Sequence, residues 1–152
     1  QAPVKDVSEY KEPLMKVNKY LVGKDADRIK GYAERRKWDV KPTETGLWYM
    51  FENDQQGENI QTGQMATIEY EISLLDGTKC YDSDSLGVKK FKVGSGGVES
   101  GLEQGILMMS RGDKAKFIMP PHLAHGLLGD SKKIPPRSVI VYEVELIDVS
   151  DY

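Results

Sequence analysis

Hydrophobic residues recur at every second position through Ala66, Ile68, Tyr70, Ile72 and Leu74, alternating with Thr67, Glu69, Glu71 and Ser73. Successive side chains of a strand point to opposite faces, so this pattern predicts a strand with one buried side. Asp76-Gly77 follows at once, a pair suited to the tight turn of a hairpin. Ala115, Phe117 and Met119 alternate with lysines, and Ile140, Tyr142, Val144 and Leu146 alternate with Glu143 and Glu145. Gly46 to Phe51 is a dense aromatic run with strand propensity. Asn53 to Gly57 reads as a loop.

A helical period breaks these strands once. Val98, Leu102, Ile106 and Met109 fall at i, i+4, i+8 and i+11, one face of a helix. An antiparallel sheet around a single short helix is an α+β design rather than a chain of βαβ units. Ahead of it, Leu14, Val17 and Leu21 have helical spacing, with Pro13 in a first-turn position and Gly23 as a stop. Asp25 is placed to cap a second helix whose inner face carries Ala26, Ile29, Tyr32 and Ala33. Neither helix is long enough to hold alone. The pair either folds onto its own domain or serves as a dimerisation or tethering arm. Residues 1–45 are therefore read as a helical extension and 46–152 as the main domain.

The stretch VGSGGVESGLEQG, Val93 to Gly105, joins strand to helix through five glycines. A dinucleotide turn needs a third glycine where Glu99 stands, and a carboxylate there would repel phosphate. A P-loop needs a lysine and a hydroxyl where Leu102-Glu103 follows Gly101. The glycines instead predict a sharp entry to a helix that lies close against a sheet at Gly101 and Gly105.

With 30% charged and 39% hydrophobic residues and a net charge of −3, the 152-residue chain has the composition of a soluble globular protein. Ala33 to Trp38 is the one local basic cluster, and it suits a helix C-terminus better than a nucleic-acid surface. The single cysteine, Cys80, excludes an internal disulfide framework. No apolar run approaches the ~20 residues that span a bilayer. Three polar features carry little chemistry. His122 and His125 form H-x-x-H but lack a third histidine and follow Pro120-Pro121, which disfavours the helix a zinc pair would use. Cys80 beside a strand reads as inert. Asp82 and Asp84 have no second polar cluster to hold a substrate between them. No metal or cofactor is implied.

The order of motifs from Gly63 to Val149 resembles the FKBP-type peptidyl-prolyl cis–trans isomerases. It runs through Tyr70, Asp76-Gly77, Tyr81-Asp82-Ser83, Phe91, Val98, Gly101-Leu102-Glu103, Gly105, Met109-Ser110-Arg111-Gly112-Asp113, Pro121, Gly126, Ile134-Pro135-Pro136 and Val141 to Leu146. The front, a helical pair followed by Thr45-Gly46-Leu47-Trp48-Tyr49, resembles bacterial gliding-motility-associated FKBP-type lipoproteins. That narrower resemblance implies an exported, lipid-anchored protein of the cell envelope or periplasm, with a homodimer through the N-terminal helices as a further expectation.

The wider resemblance implies a fold of antiparallel sheet wrapped on one short helix, and rotation of X-Pro bonds in polypeptide clients. Its pocket would be lined by Tyr70, Tyr81, Phe91, Val98, Leu102, Ile134 and Tyr142. Tyr81, Asp82, Phe91 and Tyr142 are the expected catalytic group, and Tyr70, Val98, Glu99, Leu102, His125 and Ile134 the expected substrate contacts. Four departures stand out: Leu102 where many members carry tryptophan, Glu99 for an aliphatic residue, His125 for a tyrosine, and Asp130 with Lys133 in the flap. They keep open an alternative, a binding module or chaperone that captures proline segments with little turnover.

Overall fold

The computed structural model describes residues 23–126 and 128–151. A helix, α1, runs through residues 23–36. The strands that follow are β1 (Lys41–Pro42), β2 (Trp48–Asn53), β3 (Met65–Leu74), β4 (Lys79–Asp82), β5 (Lys89–Lys92), β6 (Lys114–Met119) and β7 (Ile140–Ser150). Between them lie a single turn, α2 (Ser83–Leu86), and the short helix α3 (Ser100–Ile106). All strand pairs are antiparallel, in the order β1-β2-β6-β7-β3-β4, with β5 also on β3.

The ten-residue β3 sets this arrangement. It pairs with β7 from Met65↔Ser150 to Leu74↔Ile140, so one flank is filled along its length. Its other flank is shared: β4 takes Glu71 to Ser73 and β5 takes Met65 to Ile68. The hairpin between β3 and β4 closes where Asp76-Gly77 predicted it, with Gly77 at φ +92° and Leu74 N–H bonded to the Thr78 carbonyl at 2.9 Å.

One face of the sheet buries Ile68, Phe117, Tyr142 and Leu146 against Leu102 and Ile106 of α3, each 0% exposed. A seven-residue helix is too short to persist alone, so packing must hold it. Two glycines set its distance. A Cβ at Gly105 would lie 2.7 Å from Phe117 Cε1, and one at Gly101 would lie 2.6 Å from Met119 Sδ. Both are inside van der Waals contact, so any side chain there pushes the helix off the sheet. Gly94, in the turn before it, donates its N–H to Glu103 of α3 at 2.6 Å. The glycine-rich turn is thus closed by the protein's own carboxylate.

The opposite face is covered too. Ile29 and Tyr32 of α1 pack on Ile118, Val139 and Val141, with Trp38, Val40, Trp48 and Leu75 around them. Of the two expectations for this helix, folding onto its own domain is the one described; the first stripe, Leu14 to Leu21, lies outside the described residues. Three sequence expectations are corrected. Residues 23–25 are already helical, so Gly23 is no stop and Asp25 no cap. Asp25 is instead buried, 3.4 Å from Arg137 Nη2 and 3.8 Å from Arg28 Nη1. Val98 and Met109 fall outside α3, whose apolar face is only two turns long. And α2, with a 3₁₀ turn at Pro121–Leu123, means that α3 does not interrupt the strands alone. Lys116, read as a polar position of β6, is buried under this layer. It donates to Glu143 and to Glu52 at 2.5 Å, and stands 4.8 Å above the Trp38 ring.

If α1 is part of the folding unit, Ile29→Ala destabilises the whole domain by about 2–5 kcal/mol, the usual cost of a fully buried aliphatic truncation. A urea melt followed at both the tryptophans and the amide circular dichroism checks this. Loss of α1 signal with the sheet transition unmoved would show a dispensable arm.

Candidate functional site

A cavity of about 330 Å³ opens between the sheet and the loops beside α3. Its walls are built from separate elements by strand alternation. Tyr70 and Ile72 project from β3, Tyr81 from β4, Lys89 from β5 and Leu86 from α2. Glu99 enters at the N-cap of α3, and His125, Asp130 and Lys132 come from the loop before β7. A second hollow, about 650 Å³, lies alongside and shares Lys89, Glu99 and His125 with the first. Its other lining includes Lys90, Phe91 and Lys92 of β5, and Gly96, Gly97 and Val98 of the glycine turn.

The electrostatics centre on Lys89. Its ammonium donates to Tyr142 Oη at 2.7 Å and lies 4.6 Å from the Tyr70 ring centroid and 5.5 Å from that of Tyr142. These rings are tilted at 47° with centroids 5.9 Å apart. A cation in this position is held by the Tyr142 hydroxyl and the negative face of Tyr70 while its four-carbon stem covers the wall. Burial lowers its pKa, opposed by the nearby Glu99 carboxylate. Burial, with Glu99 and Tyr70 beside it, pushes the Tyr142 hydroxyl far up, so it stays protonated. Glu99 Oε2 also lies 3.2 Å from His125 Nε2, and the Glu99 side chain is only 7% exposed. Two polar pairs, Lys89–Tyr142 and Glu99–His125, thus lie along one side of the hollow.

The rim is clamped by Asp130. One carboxylate oxygen accepts the Tyr81 hydroxyl; the other accepts the N–H groups of Lys132 and Ile134, both at 2.9 Å. Burial works against the charged form, but these three donors outweigh it and hold the carboxyl at about 2. The Tyr81 hydroxyl is raised in turn, chiefly by that bond. The clamp ties β4 to the loop that carries Ile134, and the buried Cys80 thiol, 3.6 Å from the Lys133 carbonyl, adds a weaker tie.

A model of the FKBP-type peptidyl-prolyl cis-trans isomerase family matches residues 56–147. The chain belongs to that family. A probable FKBP-type peptidyl-prolyl cis-trans isomerase of Haemophilus influenzae is 30% identical over 112 residues, covering 74% of this chain and 46% of the relative. The FKBP-type isomerase FkpA of Escherichia coli is 33% identical over 132 residues, covering 83% and 48%. The crystal structure of FkpA matches with a TM-score of 0.70 at 26% identity, covering 99% of this chain and 75% of that one. The chain spans about half the length of these two curated relatives.

Against the FKBP pocket expected from sequence, the structure brings Tyr70, Tyr81, Glu99 and His125 to the first cavity, with Tyr142 beneath through its bond to Lys89. Phe91 and Val98 line the adjoining hollow. Leu102 and Ile134 are buried, 0% and 2% exposed, and support the walls from behind. Asp82 caps α2, accepting the Ser85 N–H at 2.7 Å, with Lys79 3.7 Å away. Its bond to Ser85, then that lysine, lowers its pKa. His122 does not join His125: its Nε2 meets the Thr45 carbonyl at 2.8 Å. Ile72, Leu86, Lys89 and Lys132 of the first cavity were not foreseen. For Lys89 the signal existed, since it is two residues from Phe91 on one strand and must share its face.

Because the folded-state value of Asp130, about 2, lies below its ordinary 3.8, it favours the folded rim above about pH 3.8. That contribution fades as pH falls through about 2. A carboxyl titration by NMR should find the depressed value in the wild type and an upward move in Tyr81→Phe. An ordinary value in the wild type would show that the clamp does not form.

Proposed function

We propose that the chain is a peptidyl-prolyl cis–trans isomerase that turns X-Pro bonds in polypeptide clients. The observation that carries this reading is the cavity walled by Tyr70, Ile72, Tyr81 and Leu86, of a size for a prolyl ring and its neighbour. Rotation about a peptide bond is opposed by ~18–20 kcal/mol because resonance gives the C–N bond double-bond character. Water stabilises the planar, charge-separated form. A cavity that sheds that water and holds the twisted amide binds the transition state better than the ground state. No nucleophile is called for.

The polar groups then have restraining roles. A cation donating to the amide oxygen would favour the planar form and slow rotation. Lys89 is partly restrained by its bond to the Tyr142 hydroxyl and by the Tyr70 ring face. Tyr142 lies below as floor, Tyr81 is fixed at the rim through Asp130, and Asp82 sets the end of β4 through α2. Phe91 and Val98 continue the apolar surface into the second hollow. The ammonium inside the cavity also favours a second reading, a module that captures proline segments and turns them over slowly.

The proposal extends to placement: the resemblance of the front of the chain to exported lipoproteins supports an envelope location with a lipid tether, tested by fractionation of the native protein. A homodimer would use the first helical stripe, since the second packs on its own sheet; sedimentation of the full chain decides it.

Exchange measurements on Ala-Pro and Leu-Pro peptides test the activity. Tyr81→Ala removes one wall ring, about 1.5–3 kcal/mol of buried contact, and should lower kcat/KM about tenfold or more. Wild-type rates equal to the blank for both peptides would end the enzymatic reading. Suppression of client aggregation that survives the substitution would favour the capture module.

A further inference from the structure

Resting on the reading of this cavity as a proline site, we propose that Lys89 makes it selective for proline segments with an acidic side chain within a residue of the proline. The chain as a whole is acidic, with a net charge of −3, yet the two adjoining hollows are lined by four lysines and two carboxylates. The lysines are Lys89, Lys90, Lys92 and Lys132; the carboxylates are Glu99 and Asp130. Both carboxylates are already engaged. Glu99 meets His125 and stands near Lys89, and Asp130 accepts from Tyr81, Lys132 and Ile134. Of the three ammonium donors of Lys89, the Tyr142 hydroxyl takes one. The others belong to a group half sunk in low-dielectric surroundings, where a charge-assisted bond is strongest.

Lys89 also lies at the junction of the two hollows. A prolyl ring against Tyr70 and Tyr81 therefore brings its flanking residue to the Lys89 ammonium, with Lys90 and Lys92 further along β5. A client carboxylate there pairs with Lys89 and keeps the cation away from the rotating amide. A client lysine at the same point meets a like charge in a partly desolvated site and is rejected. The segment recognised is a proline beside glutamate or aspartate.

The test uses the full chain and protease-free NMR exchange on Ala-Xaa-Pro-Ala and Ala-Pro-Xaa-Ala peptides, with Xaa alanine, glutamate or lysine. In one of the two series the glutamate peptide should exceed the lysine peptide about tenfold in kcat/KM at low salt, and the ratio should shrink in 0.5 M salt, as about-3-to-10 Å screening requires. Lys89→Met, which keeps the stem, should bring the ratio near one. Equal treatment of glutamate and lysine peptides by the wild type overturns the proposal. So does a ratio that persists in Lys89→Met. Should that variant fail to fold, the wild-type ratio and its salt dependence decide. If no peptide is turned over, the isomerase reading fails on its own, and chemical-shift titration of the same peptides judges selectivity: tighter binding of the glutamate peptide upholds it, equal binding overturns it.

Discussion

How near α3 can come to β6 governs the domain. The approach is set by the missing side chains of Gly101 and Gly105, which leave Met119 and Phe117 in direct contact with the helix backbone. Close-packed interiors do not absorb an extra methyl by general compression. A side chain at either glycine would lift the helix, and with it Leu102 behind the wall and Glu99 at the N-cap. The cavity lies where sheet, helix entry and following loop meet, so its shape descends from this one distance. Glycines that resemble a phosphate turn in sequence prove to be a spacer.

The second layer changes what kind of sheet this is. An antiparallel sheet can leave one face wet, and its sequence then alternates cleanly. Here both faces are covered over part of their area, α3 on one side and α1 on the other. Ile118 and Val141 sit at positions that alternation would make polar, and both are buried. Lys116 is tolerated beneath α1 because two glutamates and a tryptophan ring surround it. Burial lowers its pKa, but its bonds to Glu143 and Glu52 overcome this and keep it charged.

The strands and the packed helix α3 were legible because period-2 and period-3.6 patterns follow directly from backbone geometry, and β3, β6 and β7 carry them with few exceptions. The ends of helices were not. Val98 and Met109 continue the apolar spacing of α3 but belong to its flanking turns, and Asp25 looks like a cap while its carboxylate answers Arg137, 112 residues away. Of the candidate site, the aromatic wall residues were visible through family resemblance. Lys89 was hidden by its type: a lysine on a short, lysine-rich strand reads as surface, although its parity with Phe91 placed it inside. The Tyr81–Asp130 clamp needed coordinates, since nothing local joins residues 49 positions apart.

Both tryptophans of the chain, Trp38 and Trp48, lie in the cluster behind the sheet, and the cavity side carries leucine at position 102. Intrinsic indole emission is therefore an optical label for the seam between α1 and the sheet. It would stay silent while a ligand enters on the far side, and only tyrosine signals or an added chromophore would report that event. The molecule thus carries a built-in spectroscopic separation of its scaffold from its mouth.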